Sequence, residues 1–130
     1  MSIRNLKAIL VADAVTCGGV FAIGLLAAEP VGALLGLPAG VVAIGGWICL
    51  AAALLMIVAA RQAVPGAALV KLIAIGNLGW VAASFGVIAA FAGQMTGLGI
   101  AIVTAQALGV LAFAILEWKA AGAPVAAAAA

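Results

Sequence analysis

Four long apolar runs divide this chain of 130 residues. The runs are Ala8–Ala28, Ala39–Ala60, Val70–Ala92 and Gly97–Glu117. Each has roughly 20 residues, the length an α-helix needs to cross the ~30 Å hydrocarbon core of a bilayer. They are apolar on every side, whereas strands of a membrane β-barrel alternate polar and apolar residues. The pattern predicts an all-α membrane protein with four transmembrane helices in an up-down bundle.

The composition argues against an additional soluble domain. Only 6% of the residues are charged, whereas a soluble domain carries about a quarter. Short connections and tails are all that remain outside the four runs. We therefore expect residues 1–120 to form a single transmembrane domain, and the alanine-rich tail, residues 121–130, to be disordered.

The positive charges predict an orientation. All five lie before the first run, around the second connection or after the last run, at Arg4, Lys7, Arg61, Lys71 and Lys119. The other two connections, Glu29–Pro38 and Gly93–Thr96, contain no lysine or arginine. The positive-inside rule then places both termini in the cytoplasm. The expected location is a bacterial inner membrane, with the lipid bilayer as partner and no nucleic acid.

Glycine and proline predict how the helices begin, end and pack. Pro30 and Pro38 should end the first helix and start the second, with a short turn between them at the interface. Because lipid solvates apolar side chains as well as a helix does, membrane helices associate through small residues. The predicted small-residue faces are Gly18 with Ala22, Gly79 with Ala83, and Ala105 with Gly109.

Asp13 is the most unusual residue of the first run. An aspartate at a span centre costs about 2.5–3.5 kcal/mol, and less nearer the interface. Its best partner is Asn77, because Lys7 precedes Asp13 by the same six residues that separate Lys71 from Asn77. We predict a hydrogen bond between the two side chains that ties the first span to the third. The alternative is that Asp13 is a proton or cation site.

The third and fourth runs hold the remaining polar side chains. Asn77, Trp80 and Ser84 share one helical face, which predicts a polar cluster inside the membrane. Gln106 of the fourth run belongs to the same predicted cluster. Eleven residues later Glu117 stands beside Trp118 and Lys119, and we expect these three at the membrane interface, where aromatic and snorkelling side chains are common.

The second run has no comparable polar group, so we expect the second span to expose the most surface to lipid or to a partner. The two cysteines, Cys17 and Cys49, lie inside apolar runs, and we expect them to behave as small buried apolar residues. A lipoprotein signal cleaved before Cys17 is an alternative, but Asp13 would interrupt its apolar core. The chain has no histidine, and we expect no metal site, cofactor or enzymatic activity.

The chain resembles two types of small membrane protein. The Leu35-Gly36-Leu37-Pro38 turn, the Asn77-x-x-Trp80-x-x-x-Ser84 face and the Gln106…Glu117 span resemble a type of small uncharacterised bacterial four-span inner-membrane protein. That likeness covers residues 7–118 and implies four spans and no known activity. In length, span number and an acid in the first span, the chain is also similar to small multidrug-resistance transporters. This likeness would give Asp13 their proton- and drug-coupling role. The chain departs from these transporters in two features: it has no tyrosine, and its lysines and arginines are strongly biased to one side of the membrane.

The sequence therefore favours a non-catalytic integral membrane protein. The expected role is that of an accessory subunit, which packs against other membrane subunits or itself, or that of a lipid- or pigment-contacting protein. The alternative is a proton-coupled small-molecule transporter that uses Asp13.

Overall fold

The structure, a computed structural model, describes residues 1–123, and this part of the chain is all-helical with no strand. Four of its five helices are long and apolar enough to cross a membrane, which confirms the four apolar helices predicted from the sequence and indicates a membrane protein. The helices are α1 (Ile3–Leu26), α2 (Ala28–Leu35), α3 (Ala39–Arg61), α4 (Ala67–Phe91) and α5 (Gly97–Ala121).

Two long helices extend several residues beyond their apolar runs at ends that carry polar residues, α1 at its start and α5 at its finish. At the start of α1, the Ser2 hydroxyl accepts a hydrogen bond from the Asn5 backbone N–H at 3.1 Å. This N-cap satisfies one of the backbone donors that a helix start leaves free. At the other end of the chain α5 continues to Ala121. Residues 124–130 of the predicted disordered tail lie outside the described residues.

The predicted turn of the first connection contains the short helix α2. It ends at Gly36, whose φ of 73° is left-handed. A Cβ atom at Gly36 would overlap the Gln94 carbonyl oxygen of the third connection. Glycine is therefore required there both by conformation and by space.

The start of α5 is fixed to the end of α2. Thr96 donates its backbone N–H to the Leu35 carbonyl at 3.1 Å and its hydroxyl to the Leu34 carbonyl at 2.8 Å. A Cβ at Gly99, one turn along α5, would overlap the same Leu35 carbonyl. These contacts satisfy carbonyls that the end of α2 leaves without helical partners.

The four long helices form two closely packed pairs, α1 with α3 and α4 with α5, which touch each other less extensively. Residues from the start of α1, the connection between α3 and α4, and the end of α5 line one common depression. The chain therefore begins at the same end of the bundle at which α5 finishes.

The small-residue faces predicted from the sequence are wrong. A Cβ atom built on Gly18, Gly79 or Gly109 would meet no atom of the described part of the chain within 4 Å. The close approach lies instead between α1 and α3. A Cβ on Gly24 would lie 2.9 Å from the Val42 carbonyl oxygen and 3.1 Å from the Gly46 Cα.

The second span, α3, shares with α4 the smallest buried fraction of the four spans, which is compatible with the large surface that we expect it to expose to lipid or to a partner. It packs extensively on α1 and buries Cys49 and Met56 in the core. Its outer side exposes Trp47 and Ile48, much as α4 exposes Leu72. Its packing on α1 includes a close glycine contact, which a list of polar residues does not reveal.

Candidate functional site

Two carboxylates and one amide form a buried group that we call the acid–amide cluster: Asp13 of α1, Asn77 of α4 and Glu117 of α5. Asn77 Nδ2 donates to Asp13 Oδ2 at 2.7 Å and to Glu117 Oε2 at 2.9 Å. Both carboxylates are 0% exposed and Asn77 is 5% exposed. One amide group thus joins three helices, including both helix pairs.

The position of Asp13 opposite Asn77 follows from the helix starts. Asp13 lies ten residues after the first residue of α1, and Asn77 lies ten residues after the first residue of α4. Since an α-helix rises 1.5 Å per residue, equal counts give equal depth when two helices start at the same end of a bundle. This is the pairing that the spacing from Lys7 and Lys71 predicts.

The structure corrects the expected interfacial position of Glu117. Its side chain is buried and accepts a hydrogen bond from Asn77, and its second oxygen, Oε1, has no hydrogen-bond partner among residues 1–123. Successive helical residues are about 100° apart, so Glu117 and Trp118 point in different directions. Trp118 is 48% exposed, and the Lys71 ammonium lies 5.6 Å from its ring centroid. Lys119 is also exposed.

A second polar group, the indole–amide network, joins α4 to α5. Trp80 Nε1 donates to Gln106 Oε1 at 2.7 Å. Gln106 Nε2 donates to Ser84 Oγ and to the Val103 carbonyl, each at 2.9 Å. The Ser84 hydroxyl in turn donates to the Trp80 carbonyl at 2.8 Å. Every side-chain N–H and O–H of these three residues is therefore paired.

A cavity of about 290 Å³ lies beside both polar groups, between the two helix pairs. We call it the inter-pair cavity. Its wall is mostly apolar and draws on all four long helices. The wall includes Thr16 and Cys17 of α1, Ile48, Cys49 and Leu55 of α3, Leu72, Gly76, Asn77 and Trp80 of α4, and Gln106 of α5.

The inter-pair cavity opens between α3 and α4. Three of its wall residues, Ile48, Leu55 and Leu72, are 54%, 42% and 54% exposed. Ile48 lies near the middle of α3, whereas Leu55 and Leu72 lie nearer the ends of α3 and α4 that carry Arg61 and Lys71. The opening therefore runs from the middle of the spans toward that end of the bundle, along the apolar part of both helices. A molecule dissolved in the bilayer could enter by this route.

Sequence reasoning identifies Asn77, Trp80 and Gln106, which lie in the cavity wall, but misses the cavity itself and its other wall residues. Both cysteines contribute to its wall and are free and buried. The Cys17 thiol also lies 3.9 Å from Asp13 Oδ1, which the helical spacing of four residues indicates. Gly76, next to Asn77, leaves open space where a side chain would stand. In the sequence, the position of that glycine next to the asparagine of the span is the signal that could have indicated a cavity.

Comparison of the chain with protein-family models, with curated proteins and with solved structures finds no match.

Proposed function

We propose that this chain is a non-catalytic integral membrane protein that binds a small lipid-soluble molecule in the inter-pair cavity. The observation that carries the proposal is the cavity itself, about 290 Å³ with a largely apolar wall and a few polar groups at one side. Small-molecule sites have this character, and their volumes start at about 300 Å³. The opening between α3 and α4 lets such a molecule enter from the hydrocarbon.

The test is to identify what copurifies with the protein. Gly76→Leu places a side chain in the cavity, whereas Gly86→Leu makes the same change on the same helix at an open position outside the wall. Mass spectrometry of organic extracts should find a compound enriched in the unchanged protein and in Gly86→Leu, and lost from Gly76→Leu. Equal lipid profiles in all three proteins would contradict the proposal.

A second candidate function is proton-coupled transport through Asp13. It is favoured by the acid–amide cluster, where two fully buried carboxylates share one amide beside the cavity. Acidic side chains buried inside a membrane bundle beside a cavity are the groups that proton relays of transporters use. A growth assay with cationic toxicants, comparing the unchanged protein with Asp13→Asn, separates the candidates. Transport requires a growth advantage that Asp13→Asn abolishes, whereas simple binding requires neither.

The orientation and membrane form part of the same proposal. The five lysines and arginines lie at the end of the bundle where α1 and α4 start and where α3 and α5 finish, which supports cytoplasmic termini in a bacterial inner membrane. Reporter fusions after residue 34 and after residue 95 should both read periplasmic. A cytoplasmic signal from either fusion would contradict this orientation.

An accessory role in a larger membrane assembly is compatible with ligand binding. The outer surface exposes large apolar side chains on every long helix, for example Leu26, Ile44, Leu72 and Leu108, and these can face lipid or another subunit. Copurification in a mild detergent distinguishes a surface that faces lipid from one that faces a subunit. A stoichiometric partner protein supports the accessory role, and an isolated chain contradicts it.

A further inference from the structure

The polar side chains of the inter-pair cavity have few hydrogens left to donate. The Thr16 hydroxyl donates to the Ala12 carbonyl at 2.9 Å. The Trp80 N–H and both N–H groups of Gln106 are paired within the indole–amide network. Asn77 is the remaining wall residue whose side chain carries hydrogens bound to nitrogen or oxygen.

Asn77 also uses its hydrogens elsewhere. Nδ2 carries two, and the two carboxylates of the acid–amide cluster take one each. The other polar atom of the amide, Oδ1, accepts no hydrogen bond from residues 1–123, and Asn77 belongs to the cavity wall. An amide oxygen can accept two hydrogen bonds. The wall therefore offers oxygen acceptors, with the weak Cys49 thiol as its remaining donor.

The carboxylates themselves are not in the wall. Asp13 and Glu117 are both 0% exposed, and Asn77 stands between them and the cavity through the two hydrogen bonds it donates. A cationic ligand could reach the acids only by displacing this amide or the Cys17 thiol, which lies in the wall 3.9 Å from Asp13 Oδ1. The groups that a ligand meets are uncharged, and a charged ligand would lose its hydration without gaining a partner of opposite charge.

We infer that the inter-pair cavity takes a neutral, lipid-soluble molecule that carries a hydroxyl or N–H group, and that Asn77 Oδ1 accepts the hydrogen bond from it. This inference rests on the proposed ligand-binding function and names the chemical class of the ligand. A ligand that offers only an acceptor, such as an ether, would find no strong donor in the wall. Its own oxygen would be desolvated without compensation.

The experiment uses three matched fluorinated probes with the full chain in detergent micelles. They are 4-(trifluoromethyl)phenol, which is a neutral donor, 4-(trifluoromethyl)anisole, which only accepts, and 4-(trifluoromethyl)benzylamine, which is a cation near pH 6. Fluorine NMR titration measures each affinity with the unchanged protein and with the Gly76→Leu and Gly86→Leu variants. The variants separate binding in the cavity from partition into the micelle.

The expected result is that the phenol binds about threefold to tenfold more tightly than the anisole, the range that one net hydrogen bond provides. Gly76→Leu should abolish this binding and Gly86→Leu should retain it. If phenol and anisole bind equally and Gly76→Leu removes both, the ligand class is wrong while the binding function stands. If the benzylamine binds most tightly, the inference is likewise overturned. If Gly76→Leu alters no titration, the proposed binding function fails together with the inference.

Discussion

The contact between the two helices of a pair differs between the two helix pairs of this protein. In the first pair, α1 and α3 approach so closely at Gly24 and Gly46 that a Cβ atom on either would come within 3.4 Å of backbone atoms of the other helix. In the second pair, side chains connect α4 and α5, as the 2.7 Å hydrogen bond from Trp80 to Gln106 illustrates. Backbone contact dominates one pair and polar side chains join the other.

The difference shows two solutions to the same problem. Helices in a bilayer gain little from hiding apolar side chains, so they associate through close packing or through hydrogen bonds. Closely packed backbones tolerate no added volume, so a single larger residue at the contact separates the two helices. A hydrogen-bonded interface loses one partner at a time, and interhelical bonds in membranes average only about 0.6 kcal/mol. The two pairs should therefore respond unequally to single substitutions.

The largest effect is expected at the glycine contact of the first pair. Gly24→Leu must push α1 from the Val42 carbonyl and Gly46, and overpacking of this kind costs up to about 3 kcal/mol. Unfolding in mixed micelles of increasing SDS content measures the change. Gly19→Leu, on the same helix with open space around it, is the control and should leave stability nearly unchanged. Equal losses in both variants would mean that backbone contact does not hold the first pair.

The next effect concerns the cluster that joins the pairs. Asn77→Leu leaves both carboxylates without the donor they share, and unsatisfied buried groups cost about 1–3 kcal/mol. We expect a loss of about 2 kcal/mol in the same unfolding assay. Adding Asp13→Leu should recover part of it, because one of the two stranded carboxylates is then gone. A double variant less stable than Asn77→Leu alone would show that Asp13 has another essential partner.

The pairing of Asp13 with Asn77 could be predicted because two lysines mark the same depth on two helices. The four apolar helices follow from run length alone. The burial of Glu117 could not be predicted, since the sequence does not show how α5 is rotated at its end or that it extends a further turn to Ala121. Neighbouring Trp118 and Lys119 suggest a position at the membrane interface, and both of these side chains are exposed.

The glycine contacts and the cavity were beyond sequence reasoning for a different reason. The chain has 17 glycines, so spacing alone does not separate Gly24, which meets a backbone, from Gly18, which meets nothing. The cavity arises from the looser contact between pairs, a tertiary property with no local pattern. Gly76 and Cys49 acquire significance only once four helices are placed together.

A smaller effect is expected within the second pair. Gln106→Leu removes the acceptor for the Trp80 indole and the donor to Ser84, and we expect a loss of about 1 kcal/mol. In a background with Trp47→Phe and Trp118→Phe, Trp80 emission should shift to shorter wavelength as the indole loses its partner. Thr104→Val, on the same helix and outside the network, is the control. An unchanged Trp80 spectrum would contradict the network.

The smallest effect is expected for Asp13→Asn. The amide retains an oxygen for Asn77 Nδ2, which donates to Asp13 at 2.7 Å, so the stability should change by less than about 0.6 kcal/mol. Asp13→Leu removes that acceptor and should cost more, although Glu117 continues to accept from the same nitrogen. Unfolding of the two variants side by side measures the difference. If Asp13 joins the two pairs only by accepting a hydrogen bond, asparagine can replace it without harm. A large loss of stability in Asp13→Asn would show that the negative charge, and not the acceptor, is what the bundle requires.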